Sequence, residues 1–411
     1  MASNGDTLSN GINKSTHPRM PKRLYSLSQP PSIAAFDNLC SQSTAAESYP
    51  KASTIISNIP VYDLQQDKSA TEDIRDELQD EWHHILHSGP GVFVLRSFMP
   101  DTSLINEVNA AFDEIISLEA AASTTKGDHF ASAGTNARIW NSFQKHAERH
   151  PASFVRYYAN PYLAAVCEAW LGPAYQITAQ VNIVRPGGEP QVSHRDYHLG
   201  FQTAESCARY PRATQTATQF LTLQGAVAHS DMPLASGPTR FLPFSQRFEE
   251  GFMAYRLPEF QAYFDRKWVS CALKIGDAVF FNPALFHAAG ENCTDNVHRS
   301  ANLLQISSPF GKTMETIDTL AIIERCWDET RRLYKQEGRG TRMSEEISAI
   351  LNAMGNGYPF PTNLDRRPPA PGGMAPESEV DVLRRGLSAG WDTQEVVAAI
   401  TAIRRESAST V

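Results

Sequence analysis

Between residues 176 and 307 the chain carries five strand-type runs, and no other feature limits its fold so strongly. They are 176–185 (QITAQVNIVR), 216–229 (TATQFLTLQGAVAH), 268–275 (WVSCALKI), 278–287 (AVFFNPALFH) and 298–307 (HRSANLLQIS). Short β-rich runs bounded by Gly, Pro, Asn and Asp call for a sheet-built core. The flanking segments read as helices. Ser69 and Glu72 have capping-box spacing ahead of a helical run to His87, which Ser88-Gly89-Pro90-Gly91 stops. A short apolar strand, 91–95, follows, and Asp101 is placed to cap a helix to about Leu118. A third helical stretch, 151–171, ends at Gly172-Pro173. Past Gly311 the chain is helical over 313–336 and is interrupted by a Pro/Gly-rich stretch, 357–376. Helices at about 377–387 and 393–405 close it, the last with Asp392 and Glu395 as a capping pair. Helices that bracket strands predict a helical layer packed on a sheet. The expected division is a disordered, Ser/Asn/Thr/Pro-rich arm at 1–55, a helical layer with the first strands at 56–175, a strand-rich core at 176–310 and a C-terminal helical extension at 311–411.

Composition narrows the function classes. The formal net charge of −8 disfavours partners that need a basic field, so neither nucleic acid nor an anionic membrane surface is expected. No apolar run approaches the roughly 18 residues of a spanning helix, and the first 30 residues lack an apolar stretch like that of a secretory leader. Six cysteines at irregular spacing, none in a CxxC pair, argue against a zinc-thiolate site or a disulfide framework. A cytoplasmic location is expected, and the terminal Ser-Thr-Val is not a peroxisomal address. Arg384, Arg385, Arg404 and Arg405 lie among acids, which reads as a packing or dimerisation appendage and leaves a homodimer open. His83, His84 and His87 lack the glutamate of a zinc-protease helix and read as surface or capping residues.

The stretch Gln191-Val192-Ser193-His194-Arg195-Asp196-Tyr197-His198 carries the chemistry. On a strand, residues two apart share a face, so His194 and Asp196 project together. With one histidine from a neighbouring strand they make a 2-His-1-carboxylate set, which holds Fe(II) and leaves positions for substrate and oxygen. The second half of the pattern is the turn Lys274-Ile275-Gly276-Asp277, a run ending at His287, a tight return, and His298-Arg299. An arginine there offers a planar fork suited to a dicarboxylate.

In four ordered blocks the sequence resembles the phytanoyl-CoA dioxygenase family of Fe(II)/2-oxoglutarate oxygenases. The blocks are His194-Arg195-Asp196, Ser236 to Pro243, Gly276-Asp277 through His287, and Asn292 to Arg299. The resemblance covers about residues 90–310. It implies an all-β core, a double-stranded β-helix or jelly roll of cupin type with flanking α-helices. It also implies iron held by His194, Asp196 and His287, 2-oxoglutarate anchored by Arg299, and O2 as co-reactant. Two departures stand out. Pro243-Phe244-Ser245-Gln246 replaces the family's Pro-Gly-Ser-His, and the 12-residue step from His287 sets His298 beside Arg299 as a rival for the carboxylate. The permanent guanidinium cation suits that role better than a neutral imidazole.

The expected activity is oxidation of a C–H bond of a small organic substrate, as hydroxylation, desaturation or ring closure, with release of succinate and CO2. Natural-product or amino-acid-derived metabolite biosynthesis is the expected setting. Asp196 argues against a halogenase, in which a small residue vacates that position. A catalytically silent jelly-roll binding module is the rival class, but it gives no reason for His194, Asp196, His287 and Arg299 to occur together. Candidate substrate contacts are Arg138, Gln180, Asn182 and His198. For each, a merely structural or solvated role is the competing expectation. Tyr358 and Phe360, flanking Pro359, are candidates for a cover over the site, against an ordinary Pro-rich connection.

Overall fold

The computed structural model of the chain describes residues 20–65, 72–122, 136–337, 343–360 and 362–408. Ten strands are present among them: β1 (Thr54–Ile56), β2 (Ile59–Asp63), β3 (Val92–Arg96), β4 (Asn136–Ile139), β5 (Gln176–Val184), β6 (Thr222–Ala228), β7 (Arg240–Phe241), β8 (Ala278–Phe281), β9 (His287–Ala288) and β10 (Arg299–Ser307). Eight form a mixed sheet in the order β1-β2-β3-β8-β6-β10-β5-β4, in which only the β2/β3 pair is parallel. β7 and β9 form a second, small sheet, extended by isolated bridges at His194↔His287, Phe241↔Val269 and Met232↔Leu273.

Strand alternation sorts the two faces of the wide sheet. Phe93, Leu95, Leu223, Val227, Phe280, Leu304 and Ile306 enter a large apolar cluster shared with the helices. Val92, Val94, Ala226, Val279, Phe281 and Ala301 point the other way and pack with Met232, Phe241 and Leu285 of the small-sheet side. The helices covering the first face include Thr102–Ala122, Pro151–Tyr158, Pro161–Leu171 and Thr319–Gln336. Asp101 begins the first of these as expected, accepting from Ser103 N and Leu104 N. The 151–171 stretch is two helices, because Asn160 caps a new start at Pro161. Ser69, the expected cap of Glu72–His87, lies outside the described residues.

Three strand expectations are corrected. The 216–229 run is a helix, Arg212–Thr218, followed by β6, so only its second half is extended. The 268–275 run makes isolated bridges and no regular strand. The 278–287 run is a corner: Asn282 Oδ1 accepts from Ala284 N at 2.9 Å, and Pro283 has no N–H for a ladder, so the chain leaves the wide sheet after β8 and enters the small one at β9. A helix at Glu345–Met354, capped by Ser344, lies in the extension where no helix was expected. The capping box of Asp392 and Glu395 is present in Thr393–Ser407. Arg385 and Arg404 are occupied by Glu377 and by Asp318 and Glu379. No helix among the described residues is long and apolar enough to cross a membrane.

A disordered arm to residue 55 does not fit residues 20–55. The helix Ile33–Cys40 buries Phe36 completely, with ring centroids 4.9–5.4 Å from Phe248, Phe260, Tyr263 and Phe286. Polar composition hid one aromatic anchor among many small residues. Phe36→Ala is expected to cost about 3–5 kcal/mol in denaturant unfolding, the usual range for a buried phenylalanine. A loss below about 1 kcal/mol would mean that the segment contributes no core.

Candidate active site

The small sheet places the two histidines face to face. His194 N donates to His287 O at 3.0 Å, and His287 N donates to His194 O at 3.1 Å. Asp196 N donates to Pro283 O at 2.9 Å, which pins the carboxylate strand to the corner that precedes His287. The imidazole centroids are 4.5 Å apart. Each Nδ1 lies against a main-chain carbonyl, Val192 O at 2.9 Å for His194 and Leu285 O at 2.8 Å for His287. That contact sets the proton on Nδ1 and leaves Nε2 as a lone-pair donor. His194 Nε2 is 3.8 Å from Asp196 Oδ1, and His287 Nε2 is 3.6 Å from Asp196 Oδ2. One ligand atom from each of the three residues falls within 4.8 Å of the others, and no other such group of three occurs among the described residues. Two neutral imidazoles and a carboxylate are the donor set that suits Fe(II). Burial lowers the pKa of His194. Burial alone would raise Asp196, but the two imidazoles when protonated, together with the Gln224 amide, outweigh it and hold the carboxyl well below the usual range. Both shifts favour the metal-binding forms.

These groups open onto a cavity of about 810 Å³ between the two sheets. Arg299, the first residue of β10, lines it and is 7% exposed. Its Nη1 is buried with no hydrogen-bond partner among the described residues, and burial pushes its pKa down to about 10. A buried cation with an unused donor is an invitation to an anion. His298 is exposed and is not among the cavity's lining residues, whereas Arg299 is. Asn292 takes up the extra length by donating to Val184 O and Val297 O.

The other candidates divide. Arg138, Gln180 and Asn182 line the cavity on neighbouring strands, and Arg138 Nη1 donates to Gln180 Oε1 at 3.1 Å. The guanidinium of Arg138 also lies 4.9 Å from the Trp140 ring. Ser132 to Thr135, just ahead of Arg138, lie outside the described residues. His198 does not share the face of His194 and Asp196. The chain turns after Asp196, His198 has φ of 42°, and it is not among the cavity's lining residues. Tyr358 and Phe360 are not among them either. Their rings pack on each other at 6.0 Å, and Tyr358 packs on Phe310 beyond the far end of β10 from Arg299, so they make no cover in this structure.

Phe244 keeps a left-handed backbone, φ 69°, where the family has glycine. Its N–H donates to Pro90 O at 3.0 Å, and Ser245 Oγ accepts from Phe286 N at 2.8 Å, one residue before His287. Sequence reasoning missed Arg195 altogether. It is fully buried and donates through Nη2 to the carbonyls of Ser245, Gln246 and Phe248. Its guanidinium lies 5.4 Å from the Phe286 ring, so it ties the segment holding two of the three donor residues to the one preceding the third. Gln224 and Gln305 were missed as well. They are directly paired polar positions on the cavity face of β6 and β10, a signal that strand alternation carries once the register is known.

The phytanoyl-CoA dioxygenase (PhyH) family profile matches residues 88–301. Dioxygenase trt7 of Aspergillus terreus is 28% identical over 179 residues, which are 41% of this chain and 57% of that protein. The chain thus spans little more than half the length of the curated relative it matches. Among solved structures, the non-heme alpha ketoglutarate dependent carbocyclase SnoK and epimerase SnoN from nogalamycin biosynthesis are each 17% identical over 57% of this chain. They are covered to 86% and 84% of their own lengths, with TM-scores of 0.43 and 0.39.

Proposed function

The chain belongs to the phytanoyl-CoA dioxygenase family, and from that premise we propose that it is a non-haem Fe(II), 2-oxoglutarate-dependent dioxygenase. In this reading the two facing sheets are a double-stranded β-helix, and the enzyme oxidises a C–H bond of a small organic molecule in natural-product or amino-acid-derived metabolite biosynthesis. One observation carries it: the His194, Asp196 and His287 donors share a cavity with a buried arginine whose Nη1 has no partner among the described residues. A silent binding module would leave that uncompensated cation unexplained.

His194, Asp196 and His287 would hold Fe(II), which with 2-oxoglutarate and O2 supplies the oxidising power, the cosubstrate leaving as succinate and CO2. The chain's own contribution is placement. Arg299 fixes the remote carboxylate of the cosubstrate through its fork. The carbonyls of Val192 and Leu285 hold the imidazoles in the metal-binding tautomer. The apolar walls, Val94, Phe241, Leu273 and Phe281 among them, keep water from the reacting centre. Arg138, Gln180 and Asn182 form a polar strip on the sheet for a substrate with oxygen-bearing groups.

The test is succinate formation from 2-oxoglutarate with Fe(II) in air. Turnover above the protein-free rate that a chelator abolishes and added Fe(II) restores is the expected result. No iron-dependent succinate, with a panel of terpenoid, peptide and amino-acid-like acceptors present, would return the fold to a binding role.

A further inference from the structure

Gln224 on β6 and Gln305 on β10 stand opposite each other in register and line the cavity. Gln224 Nε2 donates to Asp196 Oδ2 at 2.7 Å and to Gln305 Oε1 at 3.0 Å. The same Gln305 oxygen accepts from the Tyr197 hydroxyl at 2.5 Å. All three side chains are buried, Gln224 at 4%, Gln305 at 7% and Tyr197 at 4% exposure.

A carboxylate and an amide oxygen only accept, so the direction of each bond in this chain is fixed. Both protons of the Gln224 amide are spent, one on Asp196 and one on Gln305. Its Oε1 is then buried without a donor among the described residues. Turning the amide over would give that oxygen no donor from Asp196 or Gln305 and would set it against two acceptors, Asp196 Oδ2 and Gln305 Oε1. The arrangement therefore tolerates an unmet acceptor in order to keep a donor on Asp196 Oδ2. The carboxylate of Asp196 sets this orientation, and the Tyr197 hydroxyl adds a second donor to the Gln305 oxygen that faces Gln224.

We propose that Gln224 is a positioning residue for the metal centre: its bond to Asp196 Oδ2 fixes the rotation of the carboxylate toward the two imidazoles, and Tyr197 and Gln305 support its amide in the donating orientation. This rests on the iron reading above. Hydrogen bonds that orient a ligating carboxylate commonly decide metal affinity.

Co(II) titration of the full chain, followed by visible absorption, tests it. The parent is expected to bind one Co(II) with a band that Asp196→Ala abolishes. Gln224→Met keeps the length and loses the donor. It is expected to raise the Co(II) dissociation constant about 10–100-fold and to shift the band. Tyr197→Phe is expected to act in the same direction by about threefold, and to add nothing in the Gln224→Met background, because it works through that amide alone. Parent-like affinity and an unshifted band in Gln224→Met overturn the positioning role, as does a Tyr197→Phe effect that adds in full. If Gln224→Met does not fold, Tyr197→Phe alone decides: a weakened, shifted site supports the proposal and a parent-like one overturns it. Co(II) binding that is absent, or indifferent to Asp196→Ala, overturns the iron reading itself and this proposal with it.

Discussion

Protein carrying His287→Ala or Asp196→Ala is expected to emerge from desalting with essentially no iron, while the parent retains one Fe(II) per chain. The protein supplies only three donors in reach of one another, and no second set exists among the described residues to take over. Loss of partners that merely orient a ligand typically costs about 10–100-fold in affinity, so loss of a ligand is expected to exceed about a hundredfold. The fold is not at stake in His287→Ala. The bonds that join His194 and His287 run between main-chain atoms, and an alanine keeps them. The apo variant should therefore unfold close to the iron-free parent. Metal analysis combined with thermal unfolding reads both quantities. Stoichiometric iron in His287→Ala would remove it from the ligand set.

Arg299→Leu is expected to raise the 2-oxoglutarate requirement by on the order of a hundredfold or more, since breaking one side of a desolvated ion pair costs about 3–5 kcal/mol. Arg299→Lys is expected to fall between Leu and parent, keeping the charge and losing the fork. The apo protein should respond in the opposite sense. Its Arg299 is a buried cation with Nη1 unpartnered, so leucine removes a desolvation cost and should leave stability unchanged or higher. A cosubstrate titration beside an unfolding curve exposes this crossing. If Arg299→Leu titrates like the parent while His298→Ala does not, the carboxylate belongs to His298.

The three residues that come together as a candidate metal site were legible because their chemistry is local. His194 and Asp196 are two residues apart, and His287 closes a block whose turn and return are written in Gly276-Asp277 and Gly290. The strands that misled did so for local reasons too. The Thr-rich run at 216–221 has high β-propensity, yet Arg212–Thr218 is a helix that follows Pro211. The apolar run 278–287 hides a corner in Asn282-Pro283. Nothing local singles out Gln224 or Arg195. Gln224 becomes important only when β6 and β10 pair in the observed register, and Arg195 only when the loop at 245–248 closes over it. Tyr358 and Phe360 look like a cover in sequence, but reaching a cavity depends on where the chain between them and β10 travels, and here it leads to Phe310.

The large apolar cluster behind the wide sheet has a consequence for anyone who trims the gene. It joins Phe93 and Phe280 of the sheet to Trp327, Leu351, Leu383 and Ile400 of the C-terminal helices in one continuous contact network. The region that matches the family, 88–301, stops before every one of those helical residues. A fragment cut to that region would keep His194, Asp196, His287 and Arg299 in its sequence while leaving the back of the sheet wet, and it should express as aggregate rather than as a minimal enzyme.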